Sequence, residues 1–314
     1  MDQVSLRLSI TDRCNLRCDY CMPAEGVPHL EHREVLRYEE ALAVARALSE
    51  VRPLRKVRVT GGEPLVRRGV VQFIALLASA LPGVELCLTT NGALLAPVAG
   101  ALKDAGLRRV NVSLDSLDPD RYRALTRGGE LAEVLGGIRA AVRAGLAPVK
   151  VNGVLLKGVN DDEGEAFVRF ATDEGVEVRF LELMSIGSAA RVAERRFVSG
   201  GVMLQRLSER FDVTPLGPEG TAEVYRMRRN GHEARVGFIR SVTEPFCGRC
   251  DRMRLDARGR LFPCLWSDGF VDAGRLLRSG ASADALREAV REAVLSKVPR
   301  NGSSCVERMS AIGG

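Results

Sequence analysis

The chain predicts an α/β fold, a parallel sheet with helices laid against it. Two observations carry this. Short β-rich runs alternate with Ala/Leu-rich stretches of helical period, and glycines stand where three of those helices should end. With 314 residues the chain has room for one large domain and a smaller one.

Strands are predicted over 6–10, 56–60, 85–90, 109–114, 149–155 and 176–183, and helices over 38–50, 70–80, 94–105, 131–144 and 163–174. Gly106, Gly145 and Gly175 follow the last three helices, at positions where a left-handed residue closes a helix. Six βα units are too few for a closed eight-fold barrel, so an open, incomplete barrel and a doubly wound sheet both satisfy the pattern. In either, function collects beyond the carboxyl ends of the strands. Cys14–Cys21, Gly61-Gly62-Glu63-Pro64, Asn91-Gly92, Ser113-Leu114-Asp115 and Met184 fall there, with Asn152 inside strand five.

The character changes near residue 221, which divides the chain into 1–220 and 221–314. Runs at 223–229 and 233–240 flank Asn230-Gly231, a type I′ hairpin signal. A second hairpin is predicted from 252–255 to 261–264 around Asp256-Ala257-Arg258-Gly259, placing Cys264 on a strand opposite Cys250. A helix over 283–295 follows, and the chain ends in Gly313-Gly314.

Cys14, Cys18 and Cys21 lie within eight residues, in Thr-Asp-Arg-Cys-Asn-Leu-Arg-Cys-Asp-Tyr-Cys. A four-iron cluster normally takes four thiolates, so three point to a cubane with one iron open to a non-protein ligand. Disulfides fit poorly with an odd number and no leader peptide. Zinc wants a fourth ligand, which His29 or His32 could supply. Cys247, Cys250 and Cys264 form a second trio, for which His232 is the zinc alternative; two open-site clusters account for both trios at once. Cys87 reads as a packed core thiol, and Cys305 is assigned nothing.

Hydrophobic content of 46% and charged content of 27% are ordinary for a globular protein, and no apolar run approaches membrane-helix length. Cysteine usage fits a reducing compartment, hence cytoplasm. The formal charge of +6 comes with only five Lys among 46 basic residues and no basic run interleaved with aromatics, so nucleic acid is not an expected partner. No phosphate-binding P-loop is present.

Cys14-x3-Cys18-x2-Cys21 followed by Gly-Gly-Glu-Pro resembles the radical S-adenosylmethionine (SAM) enzymes. The segments Leu6–Cys14, Arg58–Leu65, Thr89–Gly92, Asn111–Asp115, Lys150–Asn152, Arg179–Met184, Phe246–Cys250, Arg252–Leu255 and Gly313-Gly314 narrow this to a resemblance to the GTP 3′,8-cyclases, which open molybdenum-cofactor synthesis. The resemblance spans nearly the whole chain. It implies an incomplete (βα)6 TIM-like barrel with a smaller C-terminal hairpin and helix region, two [4Fe-4S] clusters, and SAM. It also implies a reaction in which a 5′-deoxyadenosyl radical takes hydrogen from C3′ of GTP and the resulting radical adds to guanine C8.

Residue by residue, the resemblance assigns the six cysteines to the clusters. Tyr20, Gly62, Ser113 and Met184 go to SAM; Arg7, Arg58, Thr89, Lys150, Arg179, Arg252 and Arg254 go to GTP; and Gly313 and Gly314 form a tail reaching the active site. Gly62 has a local rationale, since a side chain would block backbone approach to a ligand, the alternative being a tight turn. Arg7 and Lys150 put charge on barrel strands, which demands a ligand or a buried ion pair. Arg252 and Arg254 share strand parity and hence a face. Asp251 stands where the family often has Asn and could pair with a nearby Arg. The segment 184–198 lacks a Trp often found there, and nothing is carried over from it.

The implied partners are GTP, an electron donor, and a downstream cyclic pyranopterin monophosphate synthase; the sequence is compatible with a homodimer. The rivals are a radical SAM enzyme modifying peptide or tRNA, and a zinc-bearing nucleic-acid binder.

Overall fold

A computed structural model describes residues 3–297. Its twelve strands are β1 (Val4–Ser9), β2 (Leu54–Thr60), β3 (Glu85–Thr90), β4 (Arg109–Ser113), β5 (Lys150–Leu155), β6 (Glu177–Glu182), β7 (Asp212–Glu219), β8 (Ala222–Arg229), β9 (His232–Ile239), β10 (Arg252–Leu255), β11 (Arg260–Phe262) and β12 (Val271–Asp272). The helices are α1 (Tyr38–Val51), α2 (Val70–Ala80), α3 (Ala99–Asp104), α4 (Pro119–Thr126), α5 (Leu131–Arg143), α6 (Gly164–Glu174), α7 (Ala193–Arg196), α8 (Gly200–Ser208), α9 (Ala273–Arg278) and α10 (Ala283–Leu295).

One sheet runs through the molecule in the order β12-β11-β10-β1-β2-β3-β4-β5-β6-β9-β8-β7. From β1 to β6 every neighbour is consecutive and parallel. A doubly wound sheet reverses its order at a switch point; this one does not, which leaves the partial TIM-like barrel. The two edges are then extended by the C-terminal region. β10 joins β1 and β9 joins β6, both in parallel. The residues between β9 and β10, which include Cys247 and Cys250, therefore connect one edge of the six-stranded unit to the other.

Strand parity separates core from site. One alternation, including Leu6, Leu8, Val57, Val59, Leu86, Leu88, Val110, Val112, Val151 and Val178, is almost wholly buried in the apolar cluster that also holds Val44, Leu48, Ile74, Leu77, Val134 and Ile138 of the helices. Each such Leu or Val contributes about 1.5–3 kcal/mol by leaving water. The opposite alternation is polar. Register aligns Arg254, Arg7, Arg58, Cys87 and Arg109 across five adjacent strands, and pairs Asn152 with Arg179 further along. The sheet's inner face is thus lined by charge rather than filled by apolar layers.

Asn230 (φ 49°) and Gly231 (φ 79°) form the hairpin turn expected between β8 and β9. The second hairpin, β10–β11, is shorter than predicted. Arg254 faces Phe262, so Cys250 lies before β10 and Cys264 after β11, at the open end and not on paired strands. Six elements escaped the sequence reading, the strands β7 and β12 and the helices α4, α7, α8 and α9; α4 is capped by the Asp118 carboxylate accepting from the backbone N–H groups of Asp120 and Arg121. Among the described residues no helix is long and apolar enough to cross a membrane.

Candidate active site

The first cysteine loop follows β1 and is held from below by the Gly-Gly-Glu-Pro turn after β2. Gly62 N–H donates to the Thr11 carbonyl and Glu63 N–H to that of Arg13, each at 2.8 Å. A Cβ on Gly62 would overlap the Arg13 carbonyl, and one on Gly61 would sit 2.7 Å from that of Thr11. Backbone packing against the cysteine loop is thus what excludes side chains here, a different reason from the ligand approach expected of Gly62. Gly62→Ala should cost about 1–3 kcal/mol through overpacking. Thermal unfolding and the iron retained by the loop would both register it.

Glu63 is fully buried and ties this turn to the next one. It accepts from Thr90 Oγ1 (2.8 Å), Leu65 N–H (3.0 Å) and Asn91 N–H (2.6 Å). Burial lifts its pKa to about 7 against those three bonds. Tyr20 donates to the Asp115 carboxylate at 2.6 Å, and Asp115 also accepts from Val154 N–H at 2.8 Å. Burial raises Asp115 to about 6, and burial followed by the Asp115 charge pushes Tyr20 well above its ordinary value.

Cys14, Cys18 and Cys21 are free thiols, each half-buried. Burial, then the charges of Asp115, Cys21 and Cys14, pushes Cys18 far up, and burial followed by Cys14 takes Cys21 to about 12. Three thiols this close and this poorly solvated become thiolates only with strong positive charge bound among them, as an iron cluster provides. N–H donors already face the sulfur: Leu16 N–H lies 3.4 Å and Asn91 Nδ2 3.9 Å from Cys14 Sγ. His232, the zinc alternative for the second trio, is exposed on β9. The donor set fits a cluster that spreads over three thiolates.

A cavity of about 560 Å³ opens on the polar face of the sheet. Its lining includes Cys247, Cys250 and Cys264 together with Arg7, Arg58, Arg179, Arg252, Arg254 and Met184. These cysteines too are free and half-buried, and burial, then Cys264 and Cys250, raises Cys247. Trp266 N–H donates to Cys264 Sγ at 3.5 Å. Lys297 Nζ pins the two flanking strands by donating to the carbonyls of Arg252 and Pro263, both at 2.7 Å.

Burial, then repulsion from Arg254, Arg252 and Arg58, drives the Arg7 pKa far down; burial takes Arg58 to about 10. A group of guanidiniums that repel one another in low dielectric is stabilised by an anion placed between them. Arg58 donates to Thr89 Oγ1 at 3.3 Å, and Arg252 to Thr221 Oγ1 at 2.6 Å. The Oδ1 atoms of Asn111 and Asn152 and Nε of Arg179 are buried in this cavity wall without a protein partner, polar capacity left for a ligand.

Lys150, 1% exposed, lies in a buried ion pair, the alternative weighed for it: it contacts Glu177 at 2.9 Å and also Glu219. Asp251 pairs with Arg55 at 2.8 Å and accepts from Ser5 Oγ at 2.7 Å. Tyr20, Gly62, Ser113, Thr89 and Lys150 are not among the cavity's lining residues; Tyr20 and Gly62 belong to the first cysteine loop and its support, Ser113 ends β4 two residues before Asp115, and Thr89 and Lys150 touch the lining residues Arg58 and Glu219. Cys87 is fully buried and accepts from Arg109 Nε at 3.3 Å. Gly313, Gly314 and Cys305 lie outside the described residues. The sequence reading missed Lys56, Glu85, Arg109 and Asn111, which line the cavity, and Glu177, which pairs with Lys150. The signal was present, because all share the inward parity of Arg7 and Arg58.

Residues 8–171 match the family model of the radical SAM superfamily, and residues 176–303 match Molybdenum Cofactor Synthesis C. The GTP 3′,8-cyclase of Moorella thermoacetica is 46% identical over 98% of this chain and 97% of its own length. That of Alkaliphilus oremlandii is 44% identical over 93% and 89%. The crystal structure of Streptococcus suis SuiB bound to S-adenosylmethionine superposes with a TM-score of 0.61 over 92% of this chain and 68% of its own, at 13% identity, a likeness of fold. With both halves matched and near-full-length relatives above 40% identity, the chain belongs to the radical SAM superfamily and, within it, to the GTP 3′,8-cyclase family.

Proposed function

We propose that the protein converts GTP to 3′,8-cyclo-7,8-dihydroguanosine 5′-triphosphate, the opening step of molybdenum-cofactor synthesis. The observation that carries this reading is a cavity lined both by Cys247, Cys250 and Cys264 and by Arg7, Arg58, Arg179, Arg252 and Arg254. A nucleotide has two ends that need unlike partners, and this cavity offers both.

When bound at Cys14, Cys18 and Cys21, a [4Fe-4S] cluster with SAM supplies the 5′-deoxyadenosyl radical that takes the C3′ hydrogen. The protein's own part is placement. Tyr20, fixed by Asp115, and Ser113 and Met184 at the ends of β4 and β6, hold SAM; Gly62 holds the cysteine loop against β2. Arg7, Arg58, Lys150, Arg179, Arg252 and Arg254 take the triphosphate, with Thr89 oriented by Arg58. The trio Cys247, Cys250 and Cys264 carries a second cluster facing the guanine. Because a primary alkyl radical attacks whatever lies nearest, the geometry decides the product, and correct placement is worth many powers of ten.

Residues 1–220 would generate the radical and residues 221–314 present the base, the Gly313-Gly314 tail completing the site. The product would pass to the synthase that rearranges it to a pyranopterin.

Anaerobically reconstituted protein given SAM, a low-potential reductant and GTP should form 5′-deoxyadenosine together with a cyclised guanosine triphosphate. Turnover with a peptide or tRNA and none with GTP would replace this reading.

A further inference from the structure

We propose that Glu219 is the protein's own anion in the triphosphate site: its carboxylate holds Lys150 and Arg179 until phosphate oxygens of the substrate replace it, and the β7–β8 turn moves with it. This rests on the reading above, that these two cations take the triphosphate.

Glu219 ends β7 and is followed by the two-residue turn Gly220-Thr221. Its Oε1 contacts Lys150 Nζ and accepts from Arg179 Nη2 at 2.8 Å, while Oε2 contacts Arg235 Nη2 at 3.1 Å. The partners differ in how they are held. Lys150 and Arg179 sit on the paired strands β5 and β6, 1% and 8% exposed. Glu219, its side chain 40% exposed, sits on an edge strand paired on one side only. Fixed buried cations facing an anion on a hairpin tip form a pair whose anionic half can leave. The same turn reaches the other part of the cavity, where Thr221 accepts from Arg252.

Departure of Glu219 does not strip Lys150, which keeps Glu177 at 2.9 Å. A carboxylate bridging a lysine and an arginine offers acceptors much as two phosphate oxygens do. Burial would raise the Glu219 pKa, but Lys150, and then Arg179 and Arg235, draw it down to about 2, so it is charged at any working pH.

The consequence is selectivity. With Glu219 gone, Lys150 and Arg179 share the single carboxylate of Glu177, and the buried positive charge left in excess recruits an anion. A tethered carboxylate acts at an effective concentration in about the millimolar range. It therefore excludes inorganic anions, yet yields to a polyphosphate anchored elsewhere in the cavity by its base.

The test uses holoenzyme under anaerobic conditions, with calorimetric titration of inorganic tripolyphosphate and of GTP. Glu219→Gln, nearly isosteric and partly exposed, should bind tripolyphosphate at least about tenfold tighter than the parent and GTP several-fold tighter. Hydrogen exchange in residues 216–223 should rise on GTP addition in the parent, and much less in the variant. Unchanged or weaker tripolyphosphate binding by Glu219→Gln would overturn the proposal, because a carboxylate that only orients the cations aids the ligand. Lys150→Ala tests the underlying reading separately: both ligands should weaken by about tenfold or more, and an unchanged GTP affinity would place the triphosphate elsewhere and remove both readings together.

Discussion

Cys18→Ala and Cys250→Ala are expected to divide the chemistry between them. On the proposed two-cluster reading, each should lower the iron content from about eight to about four per chain, since each breaks one three-thiolate set. Cys18→Ala should abolish SAM cleavage altogether, and with it every product. Cys250→Ala should still form 5′-deoxyadenosine but no cyclised nucleotide, because its loop lines the cavity proposed for GTP while Cys14, Cys18 and Cys21 do not. The two loops are also supported independently: the first by Gly61, Gly62 and Glu63, the second by Lys297 and the connection from β9. Iron and zinc analysis of both variants, with product chromatography, checks the result. Zinc in place of iron at the second trio, or an intact cyclisation activity in Cys250→Ala, would refute the division.

Much of this was legible in the sequence because strand parity is a physical constraint. In Lys56-Val-Arg-Val-Thr60 and Arg109-Val-Asn-Val-Ser113 one side chain set must face helices and the other must not. The apolar set marks the helix side, so the charges mark the cavity. Reading only Arg58 from the first segment, and none of the cavity residues from the second, left Lys56, Arg109 and Asn111 unassigned. The helix α4 was equally readable, since Asp118-Pro119 is a capping residue followed by a residue suited to the first turn.

Other features were not readable. β7 contains Pro215, Gly217 and Pro218, which argue against a strand; an edge tolerates them because one side needs no ladder bonds, and the register shifts there. The contact of Glu219 with Lys150 joins residues 69 apart, and no local pattern announces it. At Gly62 the packing that excludes a side chain is against the chain's own Arg13 backbone, and such an approach leaves the same sequence mark as one by a ligand.

The same long-range logic makes Glu182 the second position where a single change should have a large effect. Its side chain, at the end of β6, is 3% exposed and accepts four hydrogen bonds: from Gly200 N–H (3.0 Å), Val242 N–H (2.8 Å), Thr243 N–H (2.8 Å) and Thr243 Oγ1 (2.5 Å). It thereby fixes the start of α8 and the first residues beyond β9, which must set off across the sheet's opening toward Cys247. Alanine there would leave three backbone donors without their acceptor, each costing about 1–3 kcal/mol. The net loss should reach about 3 kcal/mol or more, seen as a drop in Tm of several degrees. Glu182→Gln keeps one acceptor oxygen but turns an amino group toward the remaining donors, so it should fall between the parent and Glu182→Ala. The damage should also be local. Iron should be lost from the second trio before the first, giving a variant that still cleaves SAM but cyclises GTP poorly. Equal iron loss at both trios would mean that Glu182 supports the whole sheet and not this connection, and an unchanged Tm would mean that water replaces it.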